Sequence, residues 1–380
     1  MLQGVPDVEG RPVSQKVSMT TVPLTVRSVR ARAVRVPLPR PHPTAGGTVA
    51  EAPLVLVDLE AEEGVTGASY VFCYTPLALQ PVAQLVANLE AVITGSPLAP
   101  FAIEQKLKAR FRLLGPQGLT GIAMAALDMA AWDALARAAG LSLVRLLGSE
   151  PRPIPVYHSL GMGGGDLAAQ EAEESAAAGY RGVKYKIGYP HVKMDVEVVR
   201  AAKRAGGDDL IVLVDYNQSL AIPDAVQRGR ILDAEGVGWI EEPTTADDFA
   251  GHAQIAREVV TPIQLGENWW GTHDMAKSLA AGASDYVMVD VMKIGGVSGW
   301  LRAAALAEPS GIRLSSHLFP EVSVHLMAAT PTAHWLEYLD LASPVLQEPL
   351  RIENGYAIAS DSPGSGIAWD EEAVSRFLVA

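Results

Sequence analysis

LIVLVDYNQSL (210–220), GWIEEP (238–243), PIQLGEN (262–268) and DYVMVDVMKIGG (285–296) repeat one pattern: a short apolar run that ends on a polar, mostly acidic, residue. Continuous apolar runs, rather than alternation, mark strands buried on both faces, as in a parallel sheet. Working outward, PIPVYHSL (153–160), GVKYKIG (182–188), IRLSSHLF (312–319) and HWLEYL (334–339) continue the series to eight, each followed by a helix-like stretch. Eight such units over about 200 residues predict a (β/α) barrel rather than an open sheet, which would more often carry a glycine-rich phosphate turn after its first strand. GMGGGD (161–166) is glycine-rich but lacks a following GK[ST], so it reads as a flexible loop and not a phosphate cradle.

The polar residues at the strand ends are Lys184 and Lys186; Asp215 and Asn217; Glu241 and Glu242; Glu267; Asp290 and Lys293; His317; and Glu337. From Asp215 through Glu241, Glu267, Asp290 and His317 to Glu337 the spacings are 26, 26, 23, 27 and 20 residues, one strand–helix unit each. In such barrels the C-terminal strand ends share one mouth, where catalytic residues gather. Any single carboxylate there is equally well explained as a helix cap or a lysine partner; three in one period are not. Asp215, Glu241 and Glu267 make a hard oxygen cage, which suits magnesium first and manganese second, and does not suit zinc. Lys184 and Lys186, two apart on one strand, face the same way. Repulsion between two ammonium groups predicts that one pKa falls toward the range of a base. His317 neighbours Asp290 by strand order, a pairing that would orient its imidazole. Glu337, with a pKa raised by burial, would serve as a proton donor. His252, His273, His325 and His334 show no ligand spacing, and Trp269 and Trp270 read as packing at the barrel top.

Upstream, VRSVRARAVRVPL (26–38) and APLVLVDLEAEEGVTGASYVF (52–72) alternate as strands around RPHPTAGGTV (40–49), a hairpin loop longer than a tight turn. GIAMAALDMAAWDALARAAG (121–140) is an Ala-rich helix stopped by glycine. The predicted organisation is a polar extension over 1–24 (with Met19 as an alternative start), an α+β capping domain over 25–148, a barrel over 149–347, and an irregular segment over 348–380 that packs back on the cap. The 380 residues carry 30 Lys+Arg against 43 Asp+Glu, a net charge of −13, with 49% hydrophobic residues. That balance, with no basic run, argues against nucleic acid and anionic membrane as partners. The lone Cys73 excludes an intrachain disulfide and a cysteine zinc site. Without a run of about 18 apolar residues or a signal-peptide core, the expectation is a soluble cytoplasmic protein.

The ordered set KYKIG, VDYNQS, WIEEP, GENW, DVMKIGG, SSHLF and ATPTAHWLEYLD, with the 36–59 hairpin and LDMAAWDAL (127–135), resembles the mandelate racemase subgroup of the enolase superfamily. The resemblance runs from about residue 28 to the C-terminus. It implies a modified (β/α)7β TIM-like barrel with an α+β cap and magnesium at Asp215, Glu241 and Glu267. It further implies Lys186 and the His317–Asp290 pair as bases for opposite faces of an α-carbon, Glu337 as general acid, and Lys184 at the substrate carboxylate. Asn217, Ser159, Val49, Tyr74 and His42 fall at substrate positions, and Glu242 and Lys293 at supporting ones. The activity implied is racemisation of a mandelate-like 2-hydroxy acid through an enediolate. The alternative is a sugar-acid dehydratase that uses the same residues, and a distant third is a non-catalytic barrel that binds a small acid. His42, where an apolar residue is expected, leans toward a polyol; Phe72, Tyr74 and Val49 lean toward an aryl group. By resemblance alone the partners are a small-molecule 2-hydroxy acid and further copies of the chain, in a homo-oligomer up to an octamer.

Overall fold

The structure is a computed structural model that describes residues 23–44 and 47–379; Met19 and most of the polar extension lie outside the described residues. The cap begins with an antiparallel sheet in the order β1 (Val26–Thr44), β2 (Gly47–Ala61), β3 (Thr66–Phe72). The stretch read as a long hairpin loop is strand: His42 pairs with Val49, Pro43 with Thr48 and Thr44 with Gly47, after an irregularity between Pro37 and His42. Prolines 37, 39, 41 and 43 lie on β1, an edge strand, where a missing N–H is tolerated. The segment read as a loop is therefore a two-stranded arm.

Two helices, α1 (Pro76–Ile93) and α3 (Leu119–Ala138), cover the sheet, with α2 (Pro100–Arg110) packed on α3 between them in sequence and the short α4 (Leu143–Leu146) after them. The α1 helix is capped by the Thr75 hydroxyl, which accepts from Leu77 N–H, with proline at the first helical position. The α3 helix lies so close to β3 that a Cβ on Gly67 would meet the Ala130 carbonyl oxygen at 2.0 Å. Both α1 and α3 are long and apolar enough to cross a membrane by length and composition, which a search for uninterrupted apolar runs does not register. In α3 the composition has a packing cause, because sheet, barrel and tail cover most of the helix. Its buried Asp133 accepts from Ala68 N–H, Arg137 Nε and the N–H and hydroxyl of Ser365, so one carboxylate ties sheet, helix and tail.

The barrel follows as β4 (Ile154–Ser159), α5 (Gly164–Ala177), β5 (Gly182–Lys186), α6 (Val192–Gly206), β6 (Ile211–Asp215), α7 (Ile222–Leu232), β7 (Ile240–Glu241), α8 (Phe249–Glu258), β8 (Ile263–Leu265), α9 (Thr272–Ala281), β9 (Tyr286–Asp290), α10 (Val291–Ile294), α11 (Gly296–Ala307), β10 (Arg313–His317), α12 (Pro320–Ala329) and β11 (Leu336–Tyr338). All eight apolar runs are parallel strands. The ring closes where β11 pairs with β4 and where Leu314 and Ser316 N–H bond the carbonyls of Thr332 and Trp335 at 2.9 and 3.0 Å. Tyr157, Leu213, Trp239 and Trp335 fill the barrel interior, Tyr157 edge-on to Trp239 at 5.4 Å. The glycine-rich segment before α5 packs under the arm: Met162 N–H bonds the Pro43 carbonyl at 2.8 Å, and a Cβ on Gly161 would collide with Pro43. After residue 347 the chain forms a hairpin, β12 (Ile352–Glu353) and β13 (Tyr356–Ala357), against β4. It then crosses to the cap, where Trp369 Nε1 bonds Asp58 and α13 (Glu371–Phe377) follows.

Cap and barrel also meet through a titratable pair. The Tyr70 hydroxyl donates to Glu321 Oε2 at 2.6 Å, and burial pushes the Glu321 carboxyl up to about 7, against the lowering effect of that bond. The unfolded chain loses this proton near pH 4.3, whereas the folded protein keeps it until about 7. Stability contributed by the protonated carboxyl is therefore full below about pH 4 and is lost as pH rises to about 7. Glu321→Gln keeps the acceptor and removes the titration. It should change urea-unfolding stability little at pH 4 and raise it by about 3 kcal/mol at pH 8.

Candidate active site

The barrel mouth is built by residues that the parallel register brings level. Lys186 pairs with Asp215 across β5–β6, Asp215 with Glu241 across β6–β7, and His317 with Asp290 across β10–β9. Glu267 follows β8 by two residues, past Gly266, where φ is +134° and a Cβ would meet the Met288 carbonyl oxygen at 2.4 Å, leaving no room for a side chain. One oxygen each from Asp215, Glu241 and Glu267 lies within 4.8 Å of the other two, and all three residues are buried.

Lys184 is buried in the floor of this cage. Its Nζ lies 2.6 Å from Glu241 Oε1, 2.8 Å from Glu337 Oε1 and 3.8 Å from Asp215 Oδ2. Lys186 Nζ bonds Asn217 Oδ1 at 2.6 Å and Asp215 Oδ2 at 3.2 Å. Neither lysine shows the lowered pKa expected from mutual repulsion. Burial lowers both, but Glu241 and Glu337 around Lys184, and Asp215 beside Lys186, hold both above the ordinary value. The expectation counted the neighbouring ammonium and left out the carboxylates that strands β6, β7 and β11 bring to it.

His317 and Asp290 do pair, Nδ1 to Oδ2 at 2.6 Å. The other imidazole nitrogen, Nε2, faces Glu267 Oε2 at 3.2 Å and Glu337 Oε2 at 3.8 Å. Burial opposes the charged imidazole, yet Glu267, Glu337 and Asp290 raise its pKa. Glu337 departs from the sequence reading: burial does raise it, but Lys184, His317 and the Leu318 N–H, which donates at 2.9 Å, hold its carboxyl well below the usual range. Leu318 adopts φ +50°, a strained turn that aims this N–H at Glu337.

Each cage carboxylate is fixed from behind. Asp215 accepts the Asn217 N–H at 2.7 Å and its Nδ2 at 2.9 Å, with Asn217 held at φ +43°. Glu241 Oε2 accepts Trp239 Nε1 at 3.1 Å and Gln264 Nε2 at 3.4 Å. Asn268 Nδ2 bonds Glu267 Oε1 at 3.2 Å and Glu242 Oε2 at 2.7 Å, while its Oδ1 accepts from Lys293 Nζ at 2.5 Å. Gln264, Trp239 and Asn268 were missed by sequence reasoning. Gln264 had a signal, as a polar residue inside an apolar strand run; Asn268 followed Glu267 directly in GENW.

The remaining predicted residues divide. Ser159 is buried at the end of β4, level with Lys184. His42 and Val49 face each other across the arm. His42 is 7% exposed, and its Nε2 is buried with no hydrogen-bond partner among the described residues. Burial first, then the positive charge of Lys186, lowers its pKa to about 4, so the ring is neutral. Tyr74 turns its hydroxyl to Asp290 Oδ2 at 3.4 Å and its ring over Lys293 Nζ at 4.5 Å.

Three converging carboxylates, with no thiolate among them, fit a hard divalent cation. The crowding itself shows the demand for positive charge: burial and the neighbouring acids push Glu241 well above its ordinary value despite Lys184.

Residues 26–148 match the family of mandelate racemase / muconate lactonizing enzyme N-terminal domains, and residues 167–373 the enolase C-terminal domain-like family. A solved enolase from Bradyrhizobium, complexed with magnesium and mandelic acid, is 41% identical with a TM-score of 0.92, over 95% of this chain and 100% of its own. The 3,6-anhydro-alpha-L-galactonate cycloisomerase of Streptomyces coelicolor is 31% identical over 93% of this chain and 99% of its own length. The L-talarate/galactarate dehydratase of Salmonella typhimurium is 30% identical over 85% and 82%. The relatives thus share a scaffold and differ in the reaction they are named for. Both halves of the chain match, and the cage sits where the barrel strands end: this enzyme belongs to the enolase superfamily, in its mandelate racemase/muconate lactonizing enzyme group.

Proposed function

We propose that this enzyme removes the α-proton of a 2-hydroxycarboxylate and returns one on the opposite face, as a racemase of a mandelate-like acid. One observation carries the reading: two nitrogen bases flank the carboxylate cage from its two ends. Lys186 stands against Asp215, the first cage strand, and His317 against Glu267, the last.

Asp215, Glu241 and Glu267 would hold a magnesium ion, with manganese as the second choice. Such an ion supplies positive charge against the substrate carboxylate and relieves the repulsion among the three acids. Asn217 keeps Lys186 directed along the cage, and Asp290 fixes His317 so that Nε2 faces inward. A substrate carboxylate reaching Lys184 would separate it from Glu337. The Glu337 pKa would then rise, because the ammonium that holds it down has a second partner, and Glu337 could share a proton with the developing enediolate.

A second reading, dehydration of a sugar acid, is favoured by the neutral His42 at the arm, whose buried Nε2 has no partner among the described residues and suits a hydroxyl better than a phenyl ring. Proton NMR with Mg²⁺ in D₂O separates the readings. Loss of the mandelate α-proton together with optical rotation supports racemisation. A 2-keto-3-deoxy product from a sugar-acid panel replaces it with dehydration, and binding of either acid without exchange or product sinks both. A homo-oligomer belongs to the same proposal and is tested by sedimentation velocity.

A further inference from the structure

Asp290 shares its two oxygens unequally. Oδ1 is taken by the backbone: the N–H groups of Met292 and Lys293 donate to it at 2.7 and 3.0 Å, so the carboxylate caps α10. Oδ2 is shared between His317 Nδ1 at 2.6 Å, a barrel group, and the Tyr74 hydroxyl at 3.4 Å, a cap group. Tyr74 is itself held in place. It follows β3 in a left-handed conformation, φ +58°, packs at a tilt of 48° against Phe72 with centroids 4.7 Å apart, and lays its ring over the Lys293 ammonium. A tyrosine adopts such a backbone only where surrounding contacts over-determine it, and here those contacts lead to Asp290 and Lys293. The other base has no corresponding link: the hydrogen bonds described for Lys186 Nζ go to Asp215 and Asn217, both at the end of β6 in the barrel.

We infer that Tyr74 is a positioning residue for one base only: through the shared Asp290 oxygen the cap orients His317, whereas the barrel alone orients Lys186. The inference rests on the two-base reading above. It assigns to Tyr74 a role other than lining the substrate pocket, and it makes seating of the cap a condition for proton transfer on one face of the α-carbon. Removing the hydroxyl leaves Oδ2 with the imidazole as its only side-chain donor among the described residues and frees the carboxylate to rotate about its Oδ1 anchor.

The test is Tyr74→Phe, which keeps the ring over Lys293, assayed in Mg²⁺-loaded enzyme by α-deuterium exchange of (R)- and (S)-mandelate separately. His317→Asn and Lys186→Ala first identify which enantiomer each base serves. Tyr74→Phe should then slow the enantiomer served by His317 about 3–10-fold, the effect of one hydrogen bond, and leave the other within about twofold. Equal loss on both enantiomers, as a generally loosened cap would give, overturns the inference, and so does no loss. Should His317→Asn and Lys186→Ala fail to separate the enantiomers, the two-base reading has failed instead. A readout that needs no substrate accompanies the rates: the downfield proton of the short Nδ1–H···Oδ2 bond, identified by its absence in His317→Asn. Tyr74→Phe moves that resonance if the hydroxyl shares Oδ2, and an unmoved resonance overturns the inference whichever acid the enzyme accepts.

Discussion

Replacing His317 by Asn should lower α-proton exchange of one enantiomer by about 10²–10⁴-fold, the usual contribution of a positioned general base, while exchange of the other enantiomer persists. Lys186→Ala should do the converse. The asymmetry follows from the separate fixing of the two proposed bases, Lys186 by Asp215 and Asn217, His317 by Asp290. Asparagine leaves an amide that can still donate to Asp290, so the α10 cap survives and the loss is chemical. Net racemisation needs both bases in sequence and should vanish in either variant. In a dehydratase, His317→Asn would stop loss of water while Lys186 continued to exchange the α-proton. Loss of both exchanges in both variants would mean that neither residue is an independent base, and the two-base reading would fall.

The strand ends were legible in the sequence because a strand buried on both faces is mostly apolar along its length and gathers its polar residues where it leaves the sheet. Asp215, Glu241, Asp290, His317 and Glu337 announce themselves in this way, and a single period links them. The groups behind the cage were not legible, since their roles depend on which strands are neighbours and on rotamers. Gln264 becomes a partner of Glu241 only once β7 and β8 are in register, and Asn268 bridges Glu267, Glu242 and Lys293 only because β8 and β9 end side by side. The ionisation states failed for a related reason. The sequence supplies the number of charges but not the distances, and 2.6–2.8 Å contacts decide that Lys184 and Glu337 both stay charged. The arm was read as a loop, whereas an edge strand tolerates proline: pairing lapses between Pro37 and His42 and resumes from His42 to Thr44.

Lys184 offers the second large effect. It is 1% exposed, is held by Glu241 and Glu337, and has its charge over the Tyr157 ring at 5.5 Å. Lys184→Met keeps most of the volume and leaves a cluster of buried carboxylates without its central cation. Removing one partner of a buried ion pair costs about 3–5 kcal/mol, because the partner's desolvation is then uncompensated. The cost should depend on pH. In the parent, Lys184 and His317 hold Glu337 below its ordinary value, so this group contributes stability above its unfolded pKa and loses it as pH falls. In the variant that pull is weakened and burial dominates, so Glu337 joins Glu241, already raised in the parent, in taking up a proton on folding, and stability falls as pH rises. The deficit against the parent should therefore be small near pH 4 and close to full at pH 8. Urea unfolding in EDTA at the two pH values measures it. Magnesium should recover part of the deficit at pH 8, since binding to the folded state alone adds about 2.7 kcal/mol at a hundred times Kd. A deficit that is the same at both pH values and indifferent to Mg²⁺ would show that Lys184 matters through packing, and that the charges around it are already balanced without it.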